Sequence, residues 1–110
     1  LVIKPAVCGG PHAAVGIAEV AVEAGRDWFV TSFIDTGVGR MTAVHAAIAG
    51  GSLGGRLACG LATSHLMAPD VAGASLGVPI DGHISVSAAP GHGVTPDRDS
   101  LELIASWESP

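Results

Sequence analysis

Three short apolar runs, separated by helical patterns and punctuated with glycine and proline, constrain this chain more than any other feature. The first, Leu1-Val2-Ile3-Lys4, is stopped by Pro5. A run of this kind fits a buried parallel strand. The second, Trp28-Phe29-Val30-Thr31-Ser32, is rich in strand-forming side chains. The third is Leu57-Ala58-Cys59-Gly60-Leu61.

The segments between them read as helices. Cys8-Gly9-Gly10 makes a turn and Pro11 suits a first helical position. Residues 11–24 follow a helical period, with Ile17, Val20, Ala21 and Ala24 along one face and Gly25 as the stop. Asp35 or Thr36 can cap a second helix over residues 38–49, whose apolar stripe is Val38, Met41, Val44 and Ile48. Residues 50–55 read as a flexible glycine link, and Thr63 or Ser64 precedes a short helical piece ended by Pro69. Strand, helix, strand, helix, strand predicts a parallel sheet with right-handed crossovers. A complete (β/α)₈ barrel takes about 250 residues, so this α/β chain supplies about three strands of one; a small open αβ sandwich is the alternative. After about Ala74 the pattern changes. Val78-Pro79-Ile80 and His83-Ile84-Ser85-Val86 flank an Asp81-Gly82 turn. Pro90-Gly91-His92-Gly93-Val94 is a second turn, and residues 101–107 form a terminal helix or strand.

Composition narrows the function classes. With 110 residues the chain holds one ordinary domain at most. A formal net charge of -5 excludes a generally basic surface, so no nucleic-acid partner is expected. Hydrophobic residues make up 48% and charged ones 14%, too apolar for a disordered chain and more buried in character than a free-standing domain of this size. Cys8 and Cys59 are too few for a disulfide scaffold and too far apart for a zinc motif. No apolar run approaches the roughly 20 residues of a membrane span, and no signal peptide is evident, so a cytoplasmic chain without membrane contact is expected. The chain opens inside an apolar strand without Met, which reads as a fragment.

Few residues offer chemistry. Lys4, the only lysine, falls at the C-terminal end of the first strand. In a barrel that end faces the active site, where a lysine serves as base or cation; otherwise it snorkels from a strand end. Ser32 and Asp35 follow the second strand, where hydroxyls and amides at a helix start can meet a carboxylate; a plain cap is the alternative for Asp35. Gly60 and Thr63 end the third strand, and Gly60 either admits a ligand to the backbone or packs beneath the helices. His12, His45, His65, His83 and His92 have no metal-motif spacing, and His45 is expected to be half-buried and inert. The residues 50–55 glycine string lacks the Lys-Ser/Thr of a P-loop.

The order Leu1-Val2-Ile3-Lys4-Pro5, Gly9-Gly10, Val30-Thr31-Ser32-Phe33-Ile34-Asp35-Thr36-Gly37-Val38-Gly39, Cys59-Gly60-Leu61-Ala62-Thr63 and Pro90-Gly91-His92-Gly93-Val94 resembles the C-terminal part of enolase-superfamily enzymes. These have a muconate-lactonizing-type barrel. Within the superfamily the chain is most similar to the o-succinylbenzoate synthases of menaquinone biosynthesis. The resemblance implies a modified TIM barrel whose strands six to eight lie within residues 1–74, with residues 75–110 returning toward a capping domain. It places Lys4 at the lysine ending strand six, Ser32 and Asp35 near the carboxylates of the substrate, and Gly60 and Thr63 at the end of strand eight. Relatives often carry Glu where Asp35 stands, and His92 replaces a leucine.

The implied activity is a lyase reaction: α-proton abstraction from a small carboxylate substrate, an enediolate, then dehydration. Lys4 would stabilise the enediolate as a cation. The implied cofactor is Mg²⁺, whose carboxylate ligands, like the base lysine, belong to strands outside these 110 residues. The chain alone is therefore expected to be inactive, with the rest of the barrel as its partner and a homo-oligomer as a further option. Two other readings compete: an N-acylamino acid racemase, with Lys4 as a base, and an inactive half-barrel structural piece. Gly60-Leu61-Ala62-Thr63 lacks the acidic residue that dipeptide epimerases and muconate cycloisomerases carry there.

Overall fold

A proline turns the first apolar run directly into a helical turn. In a computed structural model, which describes residues 1–54, 57–66, 70–72 and 77–107, β1 (Val2–Ile3) leads at once into α1 (Pro5–Cys8). Pro5 occupies the first helical position, where its missing amide costs nothing. Gly9, at φ +106°, closes the turn with its amide on the Pro5 carbonyl. The expected simple stop after the strand is thus a one-turn helix. α2 (Pro11–Glu23) follows. Its end is a Schellman motif: Gly25 at φ +64° donates to Val22, and the Arg26 amide reaches the Ala21 carbonyl at 2.8 Å.

β2 (Phe29–Val30) pairs with β1 in parallel, Val2 opposite Phe29 and Ile3 opposite Val30. α3 (Gly37–Gly51) completes a small mixed α/β unit. The third apolar run contributes a single parallel bridge, Thr31 to Gly60, rather than a strand. Gly60 donates to the Val30 carbonyl at 2.9 Å, and Ser32 donates to the Gly60 carbonyl at 3.1 Å. The three runs therefore lie side by side in sequence order, all parallel.

The core is built from Ile3, Val30, Trp28, Met41, Val44 and Leu61 packed on alanines of both long helices. The buried face of α2 is Ala14, Ala18 and Ala21; of the expected Ile17, Val20, Ala21 and Ala24 stripe, Ala21 is buried and Ile17 packs partly buried against the core, whereas Val20 and Ala24 are exposed. Small residues at i, i+4 and i+7 let α3 approach closely, which leaves Val20 64% exposed. On α3, Met41 and Val44 are buried as expected, whereas Ile48 is exposed. The helix also continues through Gly50 and Gly51, residues expected in a link. A Cβ at Gly50 would lie 2.6 Å from Trp28 Cη2, so this glycine is where the indole packs.

Neither Asp35 nor Thr36 caps α3 with its side chain. Asp70 does so from 33 residues away: its Oδ1 accepts from the Gly37 amide at 2.8 Å and from the Ala72 amide at 3.1 Å. Its Oδ2 pairs with Arg40 Nη2 at 3.4 Å, and the Arg40 side chain is wholly buried. Burial alone would raise the Asp70 carboxyl, but the Gly37 and Ala72 amides and the Arg40 charge outweigh it and hold the group below its ordinary pKa.

The expected antiparallel excursion is reduced to its turn and one bridge, with Ile80 and His83 exchanging bonds of 2.8 and 2.9 Å around Asp81 at φ +48° and Gly82 at φ +77°. Ile84, Val86 and Val94 return against the core, and Asp97 donates to Val71. The short helical piece is a 3₁₀ turn, Ser64–Leu66; the expected stop at Pro69 and the expected division near Ala74 lie outside the described residues. Residues 101–107 form neither helix nor strand, and Ile104 and Trp107 are 92% and 86% exposed. Among the described residues no helix is long and apolar enough to cross a membrane.

Two outcomes follow. A carboxyl whose pKa is lower folded than unfolded contributes stability above its unfolded pKa, about 3.9, and loses it as pH falls through the folded value. Acid unfolding followed by circular dichroism should therefore steepen below about pH 4, and Asp70→Asn should remove that component. The same variant should cost about 3 kcal/mol at neutral pH, because it takes the carboxylate from a buried guanidinium. Gly16 and Gly50 should respond in opposite directions to alanine. Gly16, with nothing within 4 Å of a Cβ, should gain about 0.5–1 kcal/mol, whereas Gly50→Ala should lose about 1–3 kcal/mol against Trp28 in denaturant titration.

Candidate functional site

The parallel arrangement brings the C-terminal ends of the three runs to one edge. Lys4 leaves β1 in an extended conformation, φ -121°, and its half-buried side chain crosses to the second run. There Nζ donates to the Ser32 carbonyl oxygen at 2.9 Å. Ser32 follows the Thr31–Gly60 bridge and is buried. Its hydroxyl donates to the Gly60 carbonyl at 3.3 Å and lies 2.8 Å from Thr63 Oγ1. With the Ser32 hydrogen directed at Gly60, Thr63 is the donor of that second bond. Thr63 reaches back because its amide bonds the Leu61 carbonyl at 3.0 Å, a three-residue turn at the end of the run.

Lys4, Ser32, Gly60 and Thr63 are thus one connected group. Gly60 has a packing reason for its size, since a Cβ there would lie 3.0 Å from Thr31 Cγ2. That contact keeps the runs close enough for the Ser32 bonds. Asp35 stands outside the group. Its Oδ2 accepts from the Phe33 amide two residues back at 2.9 Å, its Cβ is near Gly39, and its carbonyl accepts from Arg40 Nη1 at 3.5 Å. Its carboxylate shapes the loop before α3 and meets none of the other four through a hydrogen bond.

The group is donor-rich. An ammonium has three N–H donors and Ser32 takes one, so Lys4 can direct the others at an anion from the open edge. The same ammonium makes the cluster unsuited to a divalent cation. Among the described residues no three His, Cys, Asp or Glu side chains gather to hold a metal ion. The residues present therefore do not fit Mg²⁺.

His45 is half-buried, as expected, with Nδ1 on the Met41 carbonyl. The Arg40–Asp70 pair escapes sequence reasoning altogether, since the partners lie 30 residues apart; the one signal is an arginine on the otherwise apolar face of α3. No family model, no curated protein and no solved structure matches the chain.

Ser32→Val should break the group at its centre. It strands the Gly60 and Thr63 partners, and chemical denaturation should show a loss of about 1–3 kcal/mol. Thr63→Val, at a half-buried position, should cost less.

Proposed function

We propose that strands six to eight of an enolase-superfamily barrel lie within residues 1–74, and that Lys4, Ser32, Gly60 and Thr63 form the carboxylate side of a lyase site like that of the o-succinylbenzoate synthases. The observation that carries this reading is the Lys4 ammonium held at the shared C-terminal edge of three adjacent parallel runs. That edge is where barrel enzymes place their chemistry. The residues after 77 turn back over α3, as a segment returning toward a capping domain would.

The reaction follows from the charges. A base outside these residues takes the α-proton of a small carboxylate, and negative charge grows on the carboxylate oxygens. On this reading Lys4, held by the Ser32 carbonyl, donates a second N–H to those oxygens as the charge develops, an electrostatic contribution of the oxyanion-hole kind. Hydroxide then leaves the β-carbon, taking back the proton that the same base had removed, so the elements of water are lost and a cyclic substrate becomes aromatic. The buried Ser32 carbonyl aims Nζ, and the Thr63–Ser32–Gly60 chain fixes that carbonyl. A lysine already serving as a donor suits charge stabilisation better than proton abstraction, which favours the synthase over a racemase. The Mg²⁺ of such an enzyme would be held by carboxylates outside this chain. The residues described here hold neither base nor metal ligands, so the reading makes them inactive alone and dependent on the rest of a cytoplasmic barrel.

The test is Lys4→Ala in a polypeptide carrying the complete barrel. It should leave the fold intact and cut kcat/KM for dehydration by about 10²-fold, or roughly 2.7 kcal/mol. Lys4→Arg should recover only part of the rate, because the planar guanidinium places its charge differently. Wild-type kinetics in Lys4→Ala would end the assignment.

A further inference from the structure

An apolar groove runs beside β1. It measures about 460 Å³ and is lined by Leu1 from the first run and by Ile17, Val20, Ala21 and Ala24 from α2. Arg26, just past the end of that helix, is the only charged side chain lining it among the described residues. Leu1 and Val20 are exposed, so an apolar surface stands open there. The strand beside it is open as well. Among the described residues β1 pairs with β2 alone. The Leu1 and Ile3 carbonyls accept from Phe29 and Thr31 at 3.1 and 2.9 Å, so the Val2 amide and carbonyl between them face away from β2. An edge of this kind is a template for another strand.

Residues 101–107 carry the pattern such an edge takes. Leu101 leaves the Arg98–Ser100 turn in extended backbone, at φ -94° and ψ 135°. From there Leu101, Leu103, Ala105 and Trp107 alternate with Glu102, Ile104 and Ser106, the period of a strand with one apolar face. Every one of them is exposed. Laid along β1, the apolar set meets the groove on the side of Leu1 and Ile3, and Ile104 falls on the opposite face with the exposed Val2. Glu102 brings a negative charge to the groove that holds Arg26. Tail and groove begin at opposite edges of the sheet. Asp97 is tied to Val71, beside the Asp70 cap at the start of α3 and the C-terminal edge. The groove follows the end of α2 and Leu1, at the N-terminal edge. A second copy brings the two together without drawing the tail across its own helices.

We propose that the chain dimerises by exchanging this tail: residues 101–107 of each copy add as a strand to the open edge of β1 in the other, with Leu101, Leu103 and Trp107 in the groove along α2. Main-chain bonds to Val2 supply the pairing, and the alternate side chains supply the selectivity. The exchange is reciprocal and closes on a two-fold axis. Leu101, Leu103, Ile104 and Trp107 together expose about 600 Å², so two tails cover about 1,200 Å² before the grooves are counted, the size class of a specific interface. In a complete barrel a preceding strand and helix would cover this groove, so the exchange belongs to the 110-residue chain and does not rest on the Lys4 assignment.

Size-exclusion chromatography with light scattering, over a range of concentrations of the 110-residue chain, tests this. The expected species at high micromolar concentration has twice the 10.8 kDa mass of the chain. Tryptophan emission should shift to shorter wavelength as Trp107 is covered. Val20→Glu puts a charge into the groove from an exposed position, and the double variant Leu103→Asp, Trp107→Asp disables the tail. Each should be a monomer with the circular dichroism of the parent. Mixed, the two should form a heterodimer weaker than the parent dimer, since one retains the tail and the other the groove. Non-specific association of apolar surfaces would not show that complementation. A parent that stays monomeric, with its tail free or folded onto itself, would overturn the exchange. So would a dimer that survives either variant, or a mixture that remains monomeric.

Discussion

A buried arginine organises this molecule. Arg40 lies on the face of α3 that packs inward, where an unpaired guanidinium would be prohibitively unstable. Asp70 answers it, and the same carboxylate also takes the Gly37 amide that opens α3 and the Ala72 amide beside it. One side chain thereby fixes the start of a helix, the neutralisation of a core charge and the path of the chain after the third run. Gly77 passes so close to Arg40 that a Cβ would lie 2.8 Å from Nε, so the guanidinium also sets where the return segment begins. Replacing the pair with apolar residues could preserve packing, but it would abolish this register between distant segments.

The candidate site inherits its geometry from that frame. Lys4, Ser32 and Thr63 come from three runs that share only short ladders, so their spacing depends on how tightly the runs approach. Gly60 sets that approach at Thr31, and the alanine face of α2 sets it from the other side by letting the helices lie close. Larger residues at either place would separate the ammonium from the hydroxyl pair without touching any polar atom.

Local signals in the sequence were readable where one segment decides its own shape. Pro11 and Gly25 bound α2, and Asp81-Gly82 makes the hairpin, because proline, glycine and a positive-φ turn act within a few residues. Lys4, Ser32, Gly60 and Thr63 could be grouped in advance because parallel runs align their ends. What failed were choices made by packing. The period of α2 fits two faces, and only the fit against α3 turns the packed face toward Ala14 and Ala18 and away from Val20. Gly50 looked like a linker because its partner, Trp28, is remote in sequence. Asp35 had the right position for a cap, but its carboxylate bonds backward to Phe33, leaving the helix start to Asp70. His92 was placed in a turn, but its contact with Thr42 spans 50 residues and leaves no local signal.

The capping of α3 by Asp70 also orders events in time. A helix that supplies its own cap can settle as soon as it is made, whereas α3 carries a buried arginine whose partner is encoded 30 residues later. Synthesis at about 5–20 residues per second delays the Asp70 carboxylate by seconds while the intervening chain emerges. The α3 start seen here, capped and neutralised by one carboxylate, is therefore complete only once the chain has been made as far as Asp70.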